Sequence, residues 1–126
     1  MLKTLIAAIF AAALTVPVSA APFGSETQLQ AAGPYGPLTG TIFESSKRQG
    51  PVALIIPGSG PTDRDGNSPL GVQASTYRLL AEGLAAEGIS SLRIDKRGLF
   101  GSVNAVPDPN AVVIDDYVSD AASWVL

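Results

Sequence analysis

Residues 53–67 read ALIIPGSGPTDRDGN, an apolar run that stops at Pro57 and opens into a loop of glycines, hydroxyls and paired charges. A loop of this composition at the carboxyl end of a buried strand is where α/β sheets gather backbone N–H groups around an anion. Glycine lets the backbone turn sharply and approach a ligand without a Cβ in the way, and consecutive N–H groups in such a turn can converge on one oxygen. The pentapeptide Pro57-Gly58-Ser59-Gly60-Pro61 has that capacity; the plainer reading is an ordinary strand-to-loop turn.

Nucleotide-phosphate loops fit less well. Gly58-x-Gly60 is followed by Asp63 where a dinucleotide fingerprint needs its third glycine, and the Gly-Lys-Ser/Thr of a phosphate-gripping loop is missing. Asp63-Arg64-Asp65-Gly66-Asn67 alternates charges in a way that suits local turn hydrogen bonds and ion pairs. With two Asp and no later Glu it lacks the calcium-loop pattern, so it reads as a loop brace.

Working outward, residues 52–56 (VALII) are apolar at every position, as expected of a central strand covered on both faces in a parallel sheet. Ser75 is the expected N-cap of a helix over residues 76–87, with Tyr77, Leu80 and Leu84 on one stripe and Gly88 placed to end it. Residues 89–94 (ISSLRI) follow as a strand, so strand, loop, helix and strand form the crossover unit of a parallel pair. Upstream, residues 27–31 and 38–44 read as two strands, antiparallel to each other, around the turn Gly33-Pro34-Tyr35-Gly36-Pro37. Residues 45–50 form a polar turn. Downstream, Asp95-Lys96-Arg97-Gly98-Leu99-Phe100-Gly101-Ser102 is a tight, side-chain-braced turn leading to a loop through Pro107 and Pro109. A final helix starts near Asp115 or Asp116, whose carboxylates favour the positive end of its dipole.

The 126 residues suffice for one domain. The first twenty carry one basic residue, Lys3, then an apolar run at 5–14, a breaker at Pro17 and a small-x-small end at Val18-Ser19-Ala20, with a second register at Ser19 and Ala21. This is the pattern of a signal peptide cleaved after Ala20 or Ala21, predicting an exported, periplasmic or secreted product. An uncleaved anchor is the alternative, but a spanning helix needs about 20 apolar residues and Pro17 interrupts this one. Removing Lys3 leaves 7 basic against 11 acidic residues and a net charge of −4, without a basic patch, which argues against nucleic acid as a partner. There is no cysteine, so the exported product is held by its core alone. There is also no histidine, which excludes a serine triad or a typical zinc site built from these residues.

A Gly-x-Ser-x-Gly elbow would expose a nucleophile in this architecture. Its nearest approach, Gly66-Asn67-Ser68-Pro69-Leu70-Gly71, has its second glycine one place late, no strand before it and Pro69 after the serine. Ser68 is thus a poor nucleophile.

In combination, ALIIPGSGPTDRDGN, the helix YRLLAEGLAAEGI and the strand ending IDKRGLFGS resemble the N-terminal portion of the α/β-hydrolase family, particularly its lysophospholipase-like and acyl-peptidase-like serine esterase branches. The resemblance covers residues 51–102 in detail and the flanking hairpin and last helix in outline. It implies an α/β fold, incomplete here, with an antiparallel hairpin leading into a parallel sheet with crossover helices. The domain would occupy residues 21–126 after a leader at 1–20. It also implies that the backbone N–H of Ser59, with Gly60 as the alternative, supplies an oxyanion-hole donor, and that Asp95, Arg97, Gly98, Gly101 and Ser102 are scaffold beside the active site.

In the family the nucleophile, the acid and the histidine come later in the chain, in that order. The expectation is therefore the N-terminal fragment of an exported serine hydrolase that cleaves an ester or related acyl bond through an acyl-enzyme, inactive as it stands. The full-length form would act on a small-molecule acyl substrate or short peptide, without metal or organic cofactor and without a stable membrane anchor. The alternative is a small exported binding or structural module that uses the loop from Gly58 to Asn67 to hold an anion or a partner chain.

Overall fold

The computed structural model describes residues 22–47 and 50–125. The leader expected at 1–20 lies outside the described residues, as do two positions, 48 and 49, of the polar turn.

Strand β1 spans Gly24–Ala31 and β2 Leu38–Ser45, followed by β3 (Val52–Ile55), helix α1 (Thr76–Ala86), strand β4 (Ser90–Ile94) and helix α2 (Ile114–Val125). Two 3₁₀ turns, Phe100–Ala105 and Pro109–Ala111, punctuate the stretch between β4 and α2. The strands make one mixed sheet in the order β1-β2-β4-β3. β1 and β2 pair antiparallel as expected, β2 pairs antiparallel with β4, and β3 pairs parallel with β4 through α1. The whole is a small mixed α/β domain with a four-stranded mixed sheet.

Register assigns the faces, because alternate residues of a strand point to opposite sides. Phe43 of β2 points to α1 and forms the core there with Ala81 and Ala85. The stripe expected on this helix was Tyr77, Leu80 and Leu84, but Leu80 is 49% exposed, and the seam against the sheet is carried by Ala81 and Ala85. Small side chains let the helix axis approach the Phe43 ring, so close approach, not apolarity of the residue, chose the buried face. The opposite face carries Leu38, Leu92 and Ile94, all buried. Here α2 lays its end across the sheet: a Cβ on Gly40 would come within 3.0 Å of the Trp124 ring.

The expectation that residues 52–56 form a central strand covered on both sides is corrected. Among the described residues β3 is an edge strand paired only with β4, Val52 is 61% exposed, and the outer part of this face is an open apolar groove of about 500 Å³ lined by Leu29, Ile42, Val52, Leu54, Trp124 and Val125. An apolar run says that a strand tolerates cover, not which neighbours provide it. The enclosed strand is β4, whose residues 91–94 are all buried between β2 and β3.

Both ends of α1 are closed by loop backbone. At its C-terminus the N–H groups of Gly88 (φ +90°) and Ile89 donate to the carbonyls of Ala85 and Leu84, a Schellman closure that matches the expected stop. At its start Ser75 occupies the N-cap position in a left-handed conformation, and its hydroxyl makes no capping bond. The Asp65 carbonyl instead accepts the N–H groups of Tyr77 and Arg78 at 3.1 and 3.3 Å, so the long loop after β3 serves as the cap.

Candidate functional site

Because β3 and β4 run parallel, both release their chains at the same end of the sheet, and the loop after β3 meets the turn after β4 there. In open α/β sheets this is the side on which ligands bind.

The turn organises the site. Residues 91–98 are all buried, and four successive charged side chains among them reach four different places. Arg93, 1% exposed, pairs with Glu26 of β1. Its Nη1 also meets Asp65 Oδ1 at 2.9 Å as an ion contact without the angle of a directed hydrogen bond, and its Nε has no partner among the described residues. Asp95 accepts from the Arg64 N–H at 2.9 Å, the Arg64 Nη1 at 3.1 Å and the Gly101 N–H at 3.1 Å, tying the two loops together. Burial nevertheless raises its carboxyl above the ordinary range, with the Arg64 and Gly101 contacts pulling the other way. Arg97 engages Asp120 through two nitrogens, at 2.8 and 2.6 Å, and Asp116 at 2.9 Å, which docks α2. The bond to Asp120 holds the Arg97 proton more firmly than usual.

Lys96 turns the other way. Its ammonium donates to the carbonyl of Gly58 and, at 3.0 Å, to that of Gly60. Among the described residues no carboxylate lies within salt-bridge range of it. Burial lowers its pKa accordingly.

The remaining scaffold is as expected for a braced turn. Ser102, fully buried, accepts from the Thr39 N–H at 2.9 Å and donates to the Asp95 carbonyl at 3.0 Å, while Gly98 closes on the Ser102 carbonyl. Asp63-Arg64-Asp65-Gly66-Asn67 also folds on itself: Asp63 Oδ1 accepts the N–H groups of Asp65 and Asn67 at 2.9 and 2.8 Å. Gly66 sits at φ +90° against the first turn of α1, where a Cβ would come within 2.9 Å of the Tyr77 nitrogen. Among the described residues no three acidic side chains gather as a metal set. Ser68 belongs to a small turn, its hydroxyl accepting the Leu70 N–H at 3.2 Å, next to a shallow depression of about 240 Å³ that it shares with Asp63, Asn67 and Phe100. Phe100 is held at φ +46°, a conformation that costs a bulky residue energy and is sustained by the turn around it.

The glycine loop is pinned at its base and open at its tip. The Gly58 N–H reaches the Tyr77 hydroxyl at 3.4 Å and Thr62 closes on the Gly60 carbonyl at 2.9 Å. Ser59 and Gly60 are exposed, Gly60 has φ +82°, and neither of their N–H groups donates to an acceptor among the described residues. A pair of free amides on a braced loop at the mouth of the sheet can receive an anion. The N–H of Ser59, the expected donor, and that of Gly60, its alternative, are thus both unengaged among the described residues, while Asp95, Arg97, Gly98, Gly101 and Ser102 build the adjoining turn after β4.

Sequence reasoning did not find the roles of Lys96, Tyr77 and Asp120. The only available signal was three charged residues directly after an apolar strand, and their partners lie 19 to 38 positions away in the chain. No family model matches this chain, and no match was found among curated proteins or solved structures, so the chemistry of these residues carries the functional reading.

Proposed function

We propose that this chain is the N-terminal part of an exported α/β-hydrolase of the serine esterase kind, cleaving an ester or related acyl bond through an acyl-enzyme. The observation that carries the reading is the pair of exposed N–H groups of Ser59 and Gly60, unbonded among the described residues, at the carboxyl end of β3, on the same side as the end of β4. Backbone N–H groups fixed in advance at the position of a developing oxyanion lower the barrier to acyl transfer, and Ser59 is the donor in this reading, with Gly60 the alternative. The side chain of Ser59 is not the nucleophile. The parallel β3-α1-β4 unit behind an antiparallel hairpin suits the same reading, as does the unpaired outer edge of β3 among the described residues.

Acyl-enzyme chemistry needs a nucleophile and a base. The 126 residues contain no histidine, and Ser68 is engaged in its own turn. The reading thus requires a longer parent chain that supplies nucleophile, acid and histidine, and it assigns no turnover to the present residues alone. The test has two parts. The coding frame beyond residue 126 is expected to continue into a strand and a Gly-x-Ser-x-Gly segment, and the 106-residue product left by cleavage after Ala20 to leave a short-chain p-nitrophenyl ester intact. A natural stop codon there, with a folded monomer made from it, would favour the static anion- or partner-binding module; hydrolysis abolished by Ser68→Ala would overturn the assignment of donors and nucleophile together.

A further inference from the structure

We infer that Lys96 is the positioning residue of the glycine loop: by gripping the carbonyls of Gly58 and Gly60 from beneath, its ammonium turns the Ser59 N–H outward. This deepens the oxyanion reading and rests on it for the nature of the ligand, but not for the geometry.

Carbonyl and N–H of a trans peptide point in opposite directions across a plane that resists rotation, and none of the described peptides is cis. Gly58 C=O and Ser59 N–H belong to one such unit. With the carbonyl drawn down onto Lys96 Nζ, the Ser59 N–H must face away from the ammonium, towards solvent. The neighbouring carbonyl of Gly60 is held by the same nitrogen at 3.0 Å, so the loop is gripped on both sides of Ser59 and cannot roll. The Tyr77 hydroxyl at the Gly58 N–H fixes the preceding unit. A cation on a carbonyl also polarises its amide, which makes the N–H at the far end a better donor.

A merely structural lysine would have a different environment. Buried charges are ordinarily paired, yet Lys96 is 7% exposed and among the described residues has only neutral partners. Asp95, the acid adjacent in sequence, is committed to Arg64 and Gly101, and the α2 acids Asp116 and Asp120 to Arg97. The titratable group that faces the loop from α1 is the Tyr77 hydroxyl. Burial lowers the pKa of Lys96, so its charge is lost and its grip weakened at a less alkaline pH than for an exposed lysine.

The experiment is carbon-detected NMR on the ¹³C,¹⁵N-labelled protein. The Gly58 and Gly60 carbonyl shifts are followed as the pH is raised from about 7 to 11, spanning the ordinary lysine value, and again at neutral pH in Lys96→Met. Both carbonyls are expected to titrate together with the Lys96 Nζ, with a midpoint below that of surface lysines, and the variant is expected to show the high-pH shifts already at neutral pH. Carbonyls that ignore the Lys96 titration overturn the proposal, whether or not Lys96→Met folds. A second arm adds methylphosphonate as an oxyanion probe at neutral pH and reads the Ser59 amide. Saturable movement in the wild type, weakened at least tenfold in Lys96→Met, supports the aim of the N–H at an anion. Carbonyls that track Lys96 while wild-type Ser59 ignores the probe would overturn the hydrolase reading and leave the orientation of the loop standing.

Discussion

Asp95 is the carboxylate on which both loops of the site hang, and its removal has a cost that can be worked out. Asp95→Ala strands the N–H groups of Arg64 and Gly101 and frees the Arg64 guanidinium, whose side chain is 23% exposed and can return to water. Each stranded, partly buried backbone donor costs about 1–2 kcal/mol and the rehydrated guanidinium about 0–1, so the variant is expected to lose about 3 kcal/mol. Asp95→Asn keeps one acceptor but turns an NH₂ group towards existing donors, at a cost of about 2 kcal/mol.

The pH dependence separates burial from bonding at this residue. Burial raises the Asp95 carboxyl above its ordinary 3.8, so the folded chain keeps this proton at pH values where the unfolded chain has released it. The resulting stability is complete below the unfolded-state value and is lost as the pH rises through the folded-state value. Asparagine has no such proton. The advantage of wild type over Asp95→Asn should therefore widen on acidification towards pH 4, and comparing the two chains cancels the other carboxylates. Urea unfolding followed by the fluorescence of the single tryptophan, Trp124, at neutral and acid pH measures both quantities. A loss below about 1 kcal/mol in Asp95→Ala would refute the hydrogen-bond account, given the magnitudes above. A gap that narrows with acid would show that the Arg64 and Gly101 bonds outweigh burial.

Three other outcomes are expected. Asp120→Ala leaves the buried Arg97 with Asp116 as its remaining carboxylate and should cost about 3 kcal/mol in the same unfolding assay, whereas replacing Arg97 and Asp120 together by leucine should restore most of it. Gly66→Ala must carry a Cβ at φ +90° and drive it into the Tyr77 nitrogen, so a loss of about 2 kcal/mol or more is expected, seen as a lowered melting temperature. Leu80→Gln should change stability by no more than about 0.5 kcal/mol, while Ala81→Leu should cost about 1–3; the reverse ranking would mean that α1 packs on the leucine stripe after all.

What the sequence by itself determined is local. The two antiparallel strands, the strand-helix-strand unit, the Gly88 stop and the folded Asp63–Asn67 loop were all legible, because side-chain period, positive-φ glycines and Asx turns act over a few residues. The openness of the Ser59 and Gly60 amides was not legible in this way, because glycine widens the choice of conformations and the loop's carbonyls are held by Lys96 from the turn after β4.

Only the tertiary structure decided that β4 lies between β2 and β3, that α1 turns its alanines inward, and that Ser75 leaves the capping to Asp65. It also decided where each charge of Arg93-Ile94-Asp95-Lys96-Arg97 goes. A lysine is soluble on any surface and buried only where acceptors converge on it. Those acceptors come from a loop almost forty residues earlier, so no pattern around Lys96 itself could announce them.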